Sequence, residues 1–229
     1  MLNKICEIGK KASVYMEAMG KIDERMYVVR SGKRLMIFDP NICDVLLEKI
    51  SDWEISDITI LLTHEHYDHI TGVKWLLEHF RATVICSCGC KRILDNPIVS
   101  VQDYYDVLIP PEEKEYYVGH DLLKAEGYVF DVHFTFESDY SFIWQGIRVE
   151  CVAAPGHSIG GAIYTLDETY VFTGDNLVNG SKAITRFPGG SRKDYLRVTV
   201  PIIHNLKEDS IIFPGHGEME NLKELLQYI

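Results

Sequence analysis

The sequence predicts a layered α/β protein, and three observations carry that prediction. Short apolar runs of strand length alternate with segments whose apolar residues recur at helical spacing. Several of these runs end abruptly in glycine, proline, histidine or aspartate. With 229 residues, 46% of them apolar and 25% charged, the chain has the make-up of a globular protein that buries a sizeable core.

The elements follow in order. Tyr27-Val28-Val29 and Leu35-Met36-Ile37-Phe38 flank Ser31-Gly32 and read as a β-hairpin turning at the glycine, ended by Asp39-Pro40. Residues 41–50 carry Ile42, Val45, Leu46 and Ile50 at helical spacing. Residues 58–62 form a short apolar strand that runs directly into Thr63-His64-Glu65-His66-Tyr67-Asp68-His69. Val73, Leu76, Leu77 and Phe80 mark a helix, and residues 82–85 return as a strand. The same grammar recurs later. Residues 147–154 end in Pro155-Gly156-His157-Ser158, residues 170–172 in Thr173-Gly174-Asp175, and residues 211–213 in Pro214-Gly215-His216-Gly217. No repeat, low-complexity block or proline-rich linker divides the chain, so residues 1–229 are expected to form one domain.

Four strands thus deliver His or Asp where the chain turns, and the carboxyl ends of strands are where layered α/β proteins commonly hold ligands. Imidazole nitrogen is a good zinc ligand, and a carboxylate can also bridge two ions. His64, His66, Asp68 and His69 crowd into six residues. A single tetrahedral ion has no room for all four, whereas two adjacent ions do. Three His and one Asp at a strand end have no packing purpose. His79, His120, His133 and His204 stand alone and read as surface or hydrogen-bonded residues.

The formal charge of −11 argues against a polyanionic partner, because sequence-independent nucleic-acid binding rests on phosphate neutralisation. Lys182, Arg186, Arg192, Lys193 and Arg197 form the most basic stretch, of a kind that is usually solvated surface. No apolar run approaches the roughly 18 residues that a membrane span needs. The first twenty residues are broken by Lys4, Glu7, Lys10, Lys11 and Glu17, unlike a secretory signal. A cytoplasmic location is therefore expected, with the six cysteines reduced. Cys86, Cys88 and Cys90 alternate after a strand and read as buried thiols, with no evident fourth ligand for a soft metal.

The segments THEHYDH, GHS at 156–158, TGD at 173–175 and PGHG at 214–217 resemble the metallo-β-lactamase superfamily, in order and approximate spacing, from the hairpin at Tyr27 to His216. That resemblance implies an αββα sandwich with two facing mixed sheets and helices outside. It implies His64, His66 and His157 on one metal ion, Asp68, His69 and His216 on the second, and Asp175 bridging them. The implied cofactor is a pair of zinc ions, with iron or manganese as alternatives. The implied chemistry is hydrolysis by metal-bound hydroxide, with Asp68 orienting the nucleophile and carrying a proton to the leaving group.

Departures from particular branches narrow the resemblance. Flavodiiron-type reductases carry Glu where His66 stands, and the best-known zinc β-lactamases carry Cys where Asp175 stands. Quorum-sensing lactonases place a Tyr shortly after the bridging Asp, where this chain has Asn176, Leu177 and Val178. TGDNLV, the stretch RFPGGS at 186–191, and PGHG look like the glyoxalase II-like branch. The helical domain that grips glutathione there has no counterpart after His216, and Gly217 and Glu218 stand where a glutathione-contacting Tyr is expected. A small ester or thioester, or a lactone, is the expected substrate class. Phosphodiester cleavage and a mononuclear iron sulfur-oxidising dioxygenase remain the alternatives. An aromatic-rich insertion at about 95–140, with Tyr104, Tyr105, Tyr116, Tyr117, Tyr128, Phe130 and Phe134, is expected to serve as a substrate lid or a homodimer contact.

Overall fold

The computed structural model describes residues 1–19, 23–95 and 130–229. Its first sheet runs β1 (Asn3–Ile8), β2 (Ala12–Met19), β3 (Glu24–Ser31), β4 (Arg34–Phe38), β5 (Asp57–Leu61), β6 (Ala82–Ser87) and β7 (Phe134–Phe136), neighbour to neighbour in chain order. Pairing is antiparallel up to β4 and parallel from β4 to β7. The second sheet holds β8 (Asp139–Trp144), β9 (Ile147–Ala153), β10 (Ala162–Leu166), β11 (Tyr170–Gly174), β12 (Ile211–Pro214) and β13 (Glu220–Asn221), again in sequence order. There only β11 and β12 pair in parallel.

The side-chain period of two sorts each strand between two interfaces. In β3 and β4, Tyr27, Val29, Met36 and Phe38 point between the sheets, where they meet Val149, Tyr164, Phe172 and Phe213. Phe38 and Phe172 stack face to face at 3.7 Å between ring centroids. The alternate residues Met26, Val28, Leu35 and Ile37 point outward, against Leu46, Ile50, Val73 and Leu76. Those belong to α1 (Asp44–Asp52) and α2 (Val73–His79), joined on this face by α3 (Cys88–Leu94). On the far face, Ile163, Val171 and Ile212 pack against Ile203, Leu222 and Leu225. Ile203 lies in α5 (Val200–His204), which continues α4 (Arg192–Asp194) through a π-helical stretch at Tyr195–Thr199. Leu222 and Leu225 lie in α6 (Leu222–Leu225). Three apolar interfaces separate four layers, an αββα sandwich. Each large side chain so buried contributes roughly 1.5–3 kcal/mol, and strands covered on both faces read as nearly continuous apolar runs.

The structure adds one element that was not expected from the sequence: β1 and β2 form a hairpin turning at Gly9 with φ +53°. Its half-exposed edge carries charges that hide the alternation. The first helix starts at Asp44 rather than residue 41, because Pro40 and Asn41 are still leaving β4. Cys86, Cys88 and Cys90 do not share a strand face: β6 ends at Ser87, whose side chain caps α3 by accepting from the Cys90 backbone N–H. Cys86 and Cys90 are buried and Cys88 is half-exposed. Of the expected 95–140 insertion, residues 96–129, with Tyr104, Tyr105, Tyr116, Tyr117 and Tyr128, lie outside the described residues. Its final part builds β7 and the start of β8, and Phe136 enters the core between the sheets.

Candidate metal centre

Parallel neighbours end at the same edge of a sheet, and this chain uses that twice. In the first sheet, β4 and β5 bring Asp39 beside Thr63. In the second, β11 and β12 bring Asp175 beside Gly215 and His216. After Thr63 the chain passes His64 and His66 and makes one 3-10 turn, Tyr67–His69, which adds Asp68 and His69. His157 enters from the loop after β9.

All seven expected residues converge. Ligand atoms of His64, His66 and His157 lie within 4.8 Å of one another, as do those of Asp68, His69 and His216. Asp175 stands between the two groups. One carboxylate oxygen is 3.4 Å from His157 Nε2 and 3.6 Å from His216 Nε2, and the other is 3.5 Å from His69 Nε2. Asp68 lies 3.3 Å from His216 Nε2. Two glycines make the approach possible. Gly174 takes φ +51° with Thr63 against it, and a Cβ on Gly215 would come within 2.3 Å of Asp175 Oδ1 and 2.7 Å of His69 Cε1.

Each ring orientation has a cause. Asp39, which the sequence reading passed over as a strand end, accepts from the Thr63 backbone N–H at 2.7 Å and from Thr63 Oγ1 at 2.5 Å. With that hydroxyl proton committed to Asp39, Thr63 Oγ1 accepts from His64 Nδ1 at 3.0 Å. Asp39 Oδ2 also takes the Nδ1–H of His69 at 2.8 Å. His157 Nδ1 donates to the Ile184 carbonyl at 2.7 Å. In all three rings Nδ1 is committed to its partner and Nε2 is directed into the site, and outer-sphere partners of this kind orient metal-ligating histidines. Asp39 also falls into a third possible group with His64 and His69. Its oxygens are already engaged by Thr63 and His69, so its place is behind the ligands rather than among them.

The donor set fits cations. His64 Nε2, His69 Nε2 and Asp175 Oδ1 are buried with no hydrogen-bond partner, a costly state for polar atoms unless a positive ion satisfies them. His66 Nδ1 and His157 Nε2 face each other at 3.0 Å, where one proton, or one cation, can sit. The electrostatics divide the two groups. Burial, reinforced by neighbouring histidines, pushes His64 well below its ordinary range and His66 down to about 3, and burial also lowers His157. These rings are neutral donors. Burial opposes charge on His69 and His216 as well, but Asp68 and Asp175 outweigh it, raising His69 well above its ordinary value and His216 to about 10. Asp175 is held low despite burial by His216, His69 and His157.

Glu65, between the two first histidines, also escaped the sequence reading. Its buried carboxylate accepts from Ser158 Oγ at 3.1 Å, tying the first loop to the one that bears His157, and burial raises it to about 7. A carboxylate inside H-x-H, next to the loop after a buried strand, was the only signal available.

A family model described as the metallo-beta-lactamase superfamily matches residues 23–87, from the start of β3 to the end of β6. The chain is 26% identical over 187 residues to a hydroxyacylglutathione hydrolase of Haemophilus influenzae, covering 81% of each. Its fold is similar to that of a B3 metallo-beta-lactamase crystal structure, with a TM-score of 0.73 and 23% identity over 93% of this chain and 96% of the other. A protein solved in a di-iron-bound form shares the fold at a TM-score of 0.67 and 22% identity, over 93% and 97% of the two chains. The matched segment contains Asp39 and the whole of THEHYDH, and the shared fold extends over the second sheet that supplies His157, Asp175 and His216. The chain is thus similar to the metallo-β-lactamase superfamily over residues 23–87, and it shares the fold of that superfamily's solved members.

Proposed function

We propose that this protein is a binuclear metal-dependent hydrolase of small esters or thioesters, lactones included, acting as a single domain. The observation that carries the proposal is the pairing of two three-residue donor groups across Asp175. His64, His66 and His157 would hold one ion. Asp68, His69 and His216 would hold the other, and Asp175 would be shared. Nitrogen and carboxylate donors in these numbers suit zinc, and iron or manganese are the alternatives. Divalent cations held by these residues would supply a bound water of lowered pKa and polarisation of an acyl oxygen.

The chain's own residues do the rest. Asp68 lies 3.3 Å from His216 and 3.7 Å from His69; there it would orient the nucleophilic water and pass a proton to the departing thiol or alcohol. Asp39 and Thr63 keep His64 and His69 from rotating, so the donors are pre-set before a substrate arrives. Phe187 lies edge-on to His66 and His157, at 6.1 and 6.3 Å, and makes an apolar wall beside the first donor group. Similarity to a hydroxyacylglutathione hydrolase supports a thioester among the candidate substrates. The proposed partner is a small molecule rather than a nucleic acid or a membrane surface, and the proposed location is the cytoplasm. Among the described residues no helix is long and apolar enough to cross a membrane.

Elemental analysis of protein purified without added metal, followed by assays on thioesters, lactones and phosphodiesters, tests the proposal. About two zinc ions per chain with turnover of an acyl substrate is the expected outcome. Iron near one per chain with oxygen consumption would replace it with the oxygenase alternative. Phosphodiester turnover alone would replace it with the nuclease.

A further inference from the structure

We propose that Arg25 is a positioning residue for His216: its guanidinium fastens the His216 loop to the start of β3 and so sets how tightly one of the two donor groups keeps its ion. This rests on the two-ion reading above. His216 is the most open of the candidate ligands, its side chain 26% exposed against 15% for Asp175, 7% for Asp68 and 0% for His69. It comes last in the chain, on a loop rather than on a strand. What holds that loop is therefore decisive for the ion it serves.

The fastening is specific to this loop. The backbone N–H of Arg25 donates to the Gly215 carbonyl at 2.8 Å, and Glu24 forms an isolated bridge with His216. The Arg25 side chain then grips the far end of the loop, Nη2 reaching Glu218 Oε1 at 2.8 Å and Nη1 reaching Oε2 at 3.2 Å. Nη2 also donates to Asp23 at 3.1 Å, and the Gly217 N–H donates to Asp23 Oδ2 at 3.2 Å. A planar guanidinium can serve both oxygens of one carboxylate and a second carboxylate besides; a lysine ammonium cannot reproduce that fork.

The clamp has one dry side and one wet side. Arg25 is 5% exposed, whereas Asp23 is 44% and Glu218 is 77% exposed. The other donor group is held differently. His157 is fixed by a half-buried bond to Ile184 and, through Ser158, by a buried one to Glu65, and Ser87 Oγ donates to Gly160 at 2.8 Å in the same loop. Among the described residues, the bonds of Arg25, Asp23 and Glu218 do not run to His157, Ser158, Ile184 or Glu65. Loosening the clamp should weaken one ion position and spare the other.

Chelator competition on the full-length, zinc-loaded protein tests this, with zinc per chain read at each chelator concentration. His216→Ala identifies the release step that belongs to its group, and His66→Ala identifies the other. Glu218→Gln removes one charge from an exposed side chain, and Arg25→Met keeps the buried stem while deleting the fork. Both should weaken the His216 step about tenfold, the lower end of what residues behind metal ligands supply, and leave the His66 step in place. If Glu218→Gln moves neither step, or moves both equally, the positioning role is wrong. If the wild-type protein releases zinc in one step of one ion, the two-ion reading itself falls, and the clamp falls with it.

Discussion

The carboxylate of Asp39 lies 2.8 Å from Nδ1 of His69, thirty residues further along the chain, and through the hydroxyl of Thr63 it also fixes the ring of His64. One acidic side chain thus sets the tautomer of a histidine in each donor group. The replacement Asp39→Asn keeps the shape and removes the charge. It is expected to weaken both zinc-release steps by about 10–100-fold, in contrast to the single step moved by the Arg25 clamp. Chelator competition distinguishes the two, and an unchanged affinity for both ions would show that Asp39 is only a packing residue.

The two donor groups should also differ in the protons they give up. Carboxylates hold His69 and His216 protonated in the metal-free protein, the latter up to about 10, whereas burial keeps His64 and His66 neutral. A raised histidine stabilises the metal-free fold fully below its unfolded value near 6.5, and this contribution is lost as pH rises through the folded value. Metal binding must displace the same protons. Uptake at Asp68, His69 and His216 is therefore expected to strengthen from pH 6 towards pH 9 and to release protons, with less release at the three-histidine group. Calorimetry at one pH in two buffers of different ionisation enthalpy reads this directly. Identical heats in both would contradict it.

Glu65 gives a pH effect of its own in metal-free protein. Burial raises its carboxyl from 4.5 to about 7. The stability it confers is present below about 4.5 and is lost as pH rises through about 7. A shift of this size corresponds to at most about 3 kcal/mol. Glu65→Gln cannot ionise, so its stability relative to wild type should improve between pH 5 and pH 8. Denaturant unfolding of both proteins at the two pH values measures the change, and any fixed cost of the amide cancels. A constant difference would rule the ionisation out.

Gly215→Ala probes how close the two sheets' ligands must come. Its Cβ would meet Asp175 Oδ1 at 2.3 Å and His69 Cε1 at 2.7 Å, well inside van der Waals contact. The side chains that must yield are a proposed bridge and a proposed ligand. Bound zinc is expected to fall below two per chain, with hydrolysis reduced at least tenfold and the sandwich still folded by circular dichroism. Two zinc ions and full turnover would place Asp175 outside the site.

Much of this was legible in the residues alone. The alternation in 27–38, the apolar runs before THEHYDH, PGH, TGD and PGHG, and the histidines themselves are local patterns, and local patterns survive in a sequence. The αββα layering followed from the resemblance those motifs carry. What the sequence could not state was which strand ends lie side by side. Asp39 gained its place only because β4 and β5 pair in parallel, and Arg25 only because β3 begins beside the loop after β12. Glu65 gained a partner, Ser158, 93 positions away. A charged residue at a strand end looks the same whether it faces water or the back of a ligand. Its role is decided by long-range register, by the desolvation that follows from it, and by partners that no local spacing encodes.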